Sequence, residues 1–304
     1  MSEGRKGFLF GLSAYGLWGV FPLYWTLMEP AGAAELLGHR IAWSAVFMVA
    51  LAYLLRRRAQ LRRVVGSPRT LRLLVVAAAT ISLNWGMFIW GVTNGHVVEV
   101  SLGYFINPLV TVLAGVFVLG ERLRPLQWAA VGLAGVAVAG LTVSYGRPPW
   151  VALTLAFSFA LYGLVRKQAG VGAVEGLTVE TLLVAPAALF FLLWLQASGG
   201  STAFDDLPVH LLLLASTGAV TALPLLFFGA AATRIPLTTL GLLQYLAPTL
   251  HLVLGVWFFG EPMPLDRLLG FALIWLGLAL FTLDALRQQR HHRLQRLELE
   301  ASTV

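Results

Sequence analysis

The chain has 304 residues, of which 58% are hydrophobic and only 12% charged, with a formal net charge of +7 and no cysteine. A typical soluble domain carries roughly 25% charged residues, so a body of this size has too few charges to clothe a water-facing surface. The missing cysteines exclude disulfides and thiolate chemistry. The arginines gather in short connections and a tail instead of on one folded basic face, which argues against a nucleic-acid partner and for contact with a membrane surface and its anionic lipids.

Crossing a bilayer takes about 20 mainly apolar residues. In chain order ten stretches qualify, at about 7–28, 35–55, 71–92, 100–119, 126–144, 150–165, 177–197, 210–230, 237–259 and 267–286. Arg5 and Lys6 give the start the charge of a signal peptide, but the apolar run that follows is too long for one and reads as an uncleaved first span. The joints carry turn-forming or charged residues, such as Glu29-Pro30, Asn94-Gly95, Gly146-Arg147-Pro148-Pro149 and Gly260-Glu261-Pro262.

The basic residues alternate loop by loop. Eighteen of the 21 lysines and arginines fall in the two tails and in every second connection, seven of them between Arg56 and Arg72. The other connections hold Arg147 and Arg267, and Arg40 lies inside the second span. Lysine and arginine are retained on the cytoplasmic side, so the pattern predicts a multi-pass protein of the inner (plasma) membrane with both termini in the cytoplasm.

The chain also repeats itself. At an offset of 140, Pro108 matches Pro248, Gly115-Val116 matches Gly255-Val256, and Gly120-Glu121 matches Gly260-Glu261. Earlier in each half the offset drifts to 144, laying the segment around Tyr15 and Trp18 over that around Phe159 and Tyr162. Five spans per half is an odd number, so the second copy must be inverted. Inverted repeats place a binding site near the mid-membrane and alternate access to it by rocking. The expected architecture is all-α, ten transmembrane helices in two inverted five-helix repeats, 7–144 and 150–286, around a central cavity, with a basic tail over 287–304.

Particular stretches also carry a family likeness. Ser101-Leu102-Gly103-Tyr104-Phe105-Ile106-Asn107-Pro108, closing on Gly120-Glu121-Arg122, resembles the drug/metabolite transporter superfamily. Glu35-Leu36-Leu37-Gly38-His39-Arg40, Asn84-Trp85 and the stretch from Ala156 to Lys167 are similar to the RarD branch of the EamA-type transporters. The resemblance runs from about Gly7 to Arg290. It implies secondary transport of a small metabolite or drug-like solute, in the export direction, without a cofactor. The chloramphenicol-sensitivity label of some RarD-like proteins names a phenotype and not a substrate.

Ionisable side chains inside apolar spans cost at least ~2.5 kcal/mol at a helix centre and need a partner, a cavity or an interface. Glu35 and His39 are one turn apart, with Arg40 next to them; the trio suits a zwitterion or a coupling proton, or an ion-pair knot with Glu35 in the first turn of its span. Glu180 is expected in a first turn too, and Glu99 opens the fourth span. Asn107-Pro108 falls near mid-span, and its mate Pro248 stands beside Gln244-Tyr245. Two facing proline breaks with Asn107 and Gln244 would line a cavity or pack as kinks. The resemblance implies that the third span adjoins the cavity, which makes Asn84 and Trp85 wall candidates; Tyr104 is another, with Trp18 and Tyr162 as weaker ones. Gly120 and Gly260 read as helix terminators or gate hinges.

No Walker A sequence and none of the sought intramembrane catalytic motifs (paired aspartates, Gly-x-Ser with a histidine, His-Glu-x2-His) occurs, so an enzyme is not expected. His291-His292 do not share a helix face, which argues against a metal site. The competing class is a membrane regulator or receptor without flux. The sequence leaves a homodimer open.

Overall fold

A computed structural model describes residues 3–119, 123–203, 208–232, 234–235 and 243–302, and among these every regular element is a helix. The order is α1 (Glu3–Gly19), α2 (Phe21–Thr26), α3 (Ala33–Leu54), α4 (Arg58–Val65), α5 (Pro68–Thr93), α6 (Val97–Leu119), α7 (Pro125–Tyr145), α8 (Trp150–Ala169), α9 (Ala173–Ala197), α10 (Val209–Ala232), α11 (Leu246–Val253), a π-helical turn (Leu254–Phe258) and α12 (Leu265–Ser302). Six of them, α3, α5, α7, α9, α10 and α12, are long and apolar enough to cross a membrane, and Val97–Thr111, Trp150–Arg166 and Leu246–Phe258 are shorter apolar stretches. Leu54, Phe190, Leu193 and Trp257 stand exposed, as side chains do when hydrocarbon is the solvent.

Local chemistry explains where the helices part from the sequence expectations. The first span is not one helix: α1 ends at Gly19 and α2 restarts with Pro22 in its first turn, because proline lacks the N–H that would continue the ladder. Helix α9 begins at Ala173, four residues earlier than expected, so Glu175 occupies its first turn and Glu180 lies about two turns in. Residues 237–242 of the expected ninth span lie outside the described residues. Helix α11 starts at Leu246, after a turn at Gln244-Tyr245, which puts Pro248 at its third position, where no intrahelical N–H bond is required. Pro108 sits inside a continuous α6. The arginine-rich connection folds in part as α4, and α12 continues without interruption through the tail.

The chain packs as two compact units. Met1–Asn107 with Val151–Glu261 form the first, and Pro108–Trp150 with Pro262–Val304 the second. In the second unit α7 and α12 run antiparallel: Arg124 before α7 pairs with Asp284, while Ser144 near its end bonds Asp266 in the first turn of α12. A Cβ on Gly277 would stand 3.0 Å from the Ala130 carbonyl oxygen, so small residues let these helices approach closely.

In the first unit α3 is the hub, packing on α5, α9 and α10, while α1 packs on α10 and α11. A Cβ on Gly218 of α10 would collide with the Trp43 carbonyl of α3, so the two backbones touch. Gly218→Leu should therefore lower the thermal unfolding midpoint in detergent, at a cost of about 1–3 kcal/mol for overpacking. Gly16→Ala, which enters open space, should leave it unchanged or slightly raised. Equal effects of the two substitutions would contradict the packing.

Candidate functional site

Glu35, His39 and Arg40 leave α3 toward three different neighbours and do not form an ion-pair knot. Glu35 is buried and accepts from Ser201 Oγ at 2.9 Å, Thr202 N at 2.8 Å and Thr202 Oγ1 at 3.0 Å. Its carboxylate is thereby consumed in pinning the connection between α9 and α10. Since the Thr202 hydroxyl proton goes to Glu35, His210 Nε2, 3.0 Å away, donates to Thr202. His39 is buried with no hydrogen-bond partner at Nε2, and it lines an apolar trough of about 960 Å³ with Val46, Val49, Leu189 and Leu193.

Arg40 turns inward. It is 4% exposed, the only buried lysine or arginine among the described residues, and no carboxylate there pairs with it. The guanidinium lies 4.3 Å from the ring centroid of Trp85 and 5.2 Å from that of Trp25. Tyr24 and Tyr104 are within its electrostatic range, and its Nε has no hydrogen-bond partner. Burying an ion unpaired carries a penalty of several kcal/mol, whereas each desolvated cation–π contact returns about 2 kcal/mol.

The surrounding side chains are held firmly. Tyr24 Oη donates to one of two acceptors on α10, Ser216 Oγ at 2.7 Å or the Leu213 carbonyl at 3.1 Å. Asn84, 1% exposed, spends both amide hydrogens on the Leu155 carbonyl and Ser158 Oγ of α8, each at 3.0 Å, and its Oδ1 faces Tyr104 Oη at 3.5 Å. Asn84 is thus a strut to α8. Tyr104 packs against Phe88 and His251, with ring centroids 6.0 and 5.7 Å apart. His251 Nε2 lies 3.0 Å from the Trp18 carbonyl, which can only accept, so the proton is on Nε2 and the buried Nδ1 presents an unpaired lone pair. Counted from their helix ends, Arg40, Asn84 and Tyr104 lie at similar depths of about 10–14 Å, at 1.5 Å per residue.

On the other side of Trp85 a water-sized cavity is shared with Ile41, Ile81 and Glu180. Glu180, 1% exposed, accepts from Tyr162 Oη at 3.2 Å and pairs with Arg166 at 3.1 Å. The remaining buried acids of this unit serve backbone and loops. Glu99 accepts from Val151 N at 3.0 Å, capping α8, and Glu175 meets Arg57 at 3.4 Å. Glu261 takes the first amides of α6, those of Val97 and Val98. Gly260, at φ +66°, makes the left-handed turn that delivers this carboxylate.

Of the other candidates, Ser101 Oγ donates to the Pro248 carbonyl at 2.7 Å, joining α6 to α11. Gln244 occupies the turn before α11, and Asn107 is partly buried on α6. Gly120 lies outside the described residues. Tyr24, Trp25 and His251 were not expected. His251 is an ionisable residue within an apolar span, and Tyr24-Trp25 follow the Phe21-Pro22 break, so both signals were present in the sequence.

Helices throughout the described residues, six of them long and apolar enough to cross a bilayer, with polar side chains buried among them, are the marks of a multi-pass membrane protein. The chain belongs to the EamA-like transporter family, which it matches over residues 5–143 and again over 148–283, and hence to the drug/metabolite transporter superfamily. It is 54% identical to protein RarD of Streptomyces exfoliatus over all of this chain and 96% of that one. It is 46% identical to an uncharacterized transporter of Pseudomonas aeruginosa, over 94% of this chain and 96% of the relative. Protein RarD of Escherichia coli is 45% identical, over 94% of this chain and 97% of its own. A solved crystal structure shares the fold at a TM-score of 0.58 and 22% identity, over 93% of this chain and 99% of that one.

The role of Glu35 as a loop pin is open to direct measurement. In the cysteine-free chain, a cysteine at buried Ala203 should react slowly with a membrane-impermeant maleimide. Adding Glu35→Ala should speed labelling roughly tenfold, since hydrogen bonds to a charged group contribute about 1.5–3 kcal/mol each. An unchanged rate would contradict the pinning.

Proposed function

We propose that the protein is a secondary transporter of the inner membrane that moves a small solute by alternating access, with Arg40 as the solute anchor. The observation that carries this proposal is the buried Arg40 charge, without a carboxylate partner among the described residues, beside Trp25, Trp85, Tyr24 and Tyr104 in a member of a transporter family. Two inverted halves, 7–144 and 150–286, would supply the ten helices and the rocking motion, with 287–304 as a basic cytoplasmic tail. The internal sequence repeat, the double family match and the antiparallel run of α7 against α12 support this arrangement. The alternation of arginine-rich connections supports cytoplasmic termini.

Within this scheme Arg40, Trp85 and Tyr104 contact the solute, and Asn84 holds Tyr104 in place. Asn107 and Gln244 line a second polar stretch of the path. Trp18, through its carbonyl, and Tyr162 with Glu180 flank the centre. Glu35 and Glu99 fasten the helix ends, and Pro108, Pro248, Gly120 and Gly260 are the positions where the backbone gives during the transition. Energy comes from an ion gradient or exchange, with outward movement as the direction implied by the resemblance.

Purified protein in liposomes loaded with a metabolite extract should lose one chemical class of solute over time, relative to empty liposomes, when a pH gradient is imposed and contents are read by mass spectrometry. No selective loss, with insertion and folding verified, would overturn transport in favour of a regulator or receptor. Cysteines at Asn107 and Gln244 should react with water-soluble thiol reagents. Protection of both in every conformational state would remove them from the path.

A further inference from the structure

Among the described residues the only buried lysine or arginine has no counter-charge, while every buried carboxylate of the same unit is already engaged. Glu35 is held by Ser201 and Thr202, Glu99 by the Val151 amide, Glu175 by Arg57, Glu180 by Tyr162 and Arg166, and Glu261 by the Val97 and Val98 amides. A buried guanidinium is stable when it is neutralised and its donors are used, and here Nε, beside two tryptophan faces, has no hydrogen-bond partner. A planar carboxylate satisfies them in pairs, which a point contact cannot do. Beside the cation stand the flat faces of Trp85 and Trp25, and Tyr104, within its electrostatic range, is itself packed on the rings of Phe88 and His251. Flat rings pack on such faces by offset or edge contacts.

We infer that the solute held at Arg40 is a small organic monoanion, a carboxylate carried on a planar ring, and not a zwitterion, a cation or a dianion. An ammonium group entering with the carboxylate would find each buried acid described in this unit already spent on local partners. A second negative charge would find no second buried lysine or arginine among the described residues. The inference rests on the proposed role of Arg40 in transport for the passage of the solute, whereas binding itself can be read without flux.

The test uses the full purified chain and four probes of similar size: benzoate, L-phenylalanine, benzylamine and phthalate. Benzoate at neutral pH should raise the thermal unfolding midpoint in a saturable manner, as a ligand that binds only the folded state must. L-phenylalanine and benzylamine should produce no saturable shift, and phthalate a weaker one than benzoate. Arg40→Lys keeps the charge but loses the planar fork, and should raise the half-saturating benzoate concentration roughly tenfold. Arg40→Gln should abolish the shift.

The inference is overturned by a larger shift with phenylalanine, benzylamine or phthalate, by no benzoate shift in the unmodified chain, or by a full benzoate shift in Arg40→Gln. Because the unmodified chain decides the first two outcomes, a variant that fails to fold does not shield the inference. Counterflow of labelled benzoate in liposomes separates the two claims. Saturable binding without flux would leave the monoanion site standing and remove transport, while flux of phenylalanine with no benzoate binding would do the reverse.

Discussion

A buried guanidinium with no carboxylate beside it among the described residues is the constraint around which the first unit is arranged. Arg40 projects from α3, the helix on which α5, α9 and α10 all pack, so its position is fixed by the best-supported element of that unit. The two tryptophan faces supply attraction without neutralisation, and the tyrosine hydroxyls supply polarity without charge. The result is a cation kept attractive to an anion from outside the chain. Had Glu35 turned toward Arg40, an ordinary buried salt bridge would have closed the site.

What keeps Glu35 away is a second use of carboxylates that recurs through the fold. Glu35, Glu99 and Glu261 each accept backbone amides at the end of a helix or loop, where the positive end of the helix dipole and the unpaired N–H groups favour a negative charge. These contacts tie α3 to the 201–202 connection, α6 to α8, and residue 261 to α6. They also give Gly260-Glu261 a mechanical meaning: the glycine turns the chain so that the acid can cap a distant helix. The acids therefore serve as fasteners, and the recognition chemistry passes to arginine, tyrosine, tryptophan and histidine.

Much of this was legible in the sequence, for physical reasons. Hydropathy finds spans because hydrocarbon demands them, and the marks of the apolar helices α3, α5, α7, α9, α10 and α12 are long apolar runs. The likeness carried by residues 35–40 and 101–108 identified the family that the comparisons then showed. Direction around a helix was not legible. Glu35 and His39, one turn apart, suggested a shared pair, yet each found a different neighbour, because partners come from helices remote in sequence. Helix boundaries limited the rest: the start of α9 at Ala173 moved Glu180 out of the first turn, and the start of α11 at Leu246 put Pro248 in its first turn. Tyr24, Trp25 and His251 were missed because aromatic residues in spans usually read as packing.

The central claim, that Arg40 is buried with no carboxylate partner among the described residues, is tested most directly by the stability of Arg40→Met in the absence of solute. Methionine fills a similar length, keeps favourable contact with Trp25 and Trp85, and removes the uncompensated charge. Thermal or denaturant unfolding in detergent should show Arg40→Met as stable as the unmodified chain, or more so. A loss of about 3–5 kcal/mol, the magnitude expected when one member of a buried ion pair is removed, would mean that Arg40 is neutralised within the protein and would contradict the account.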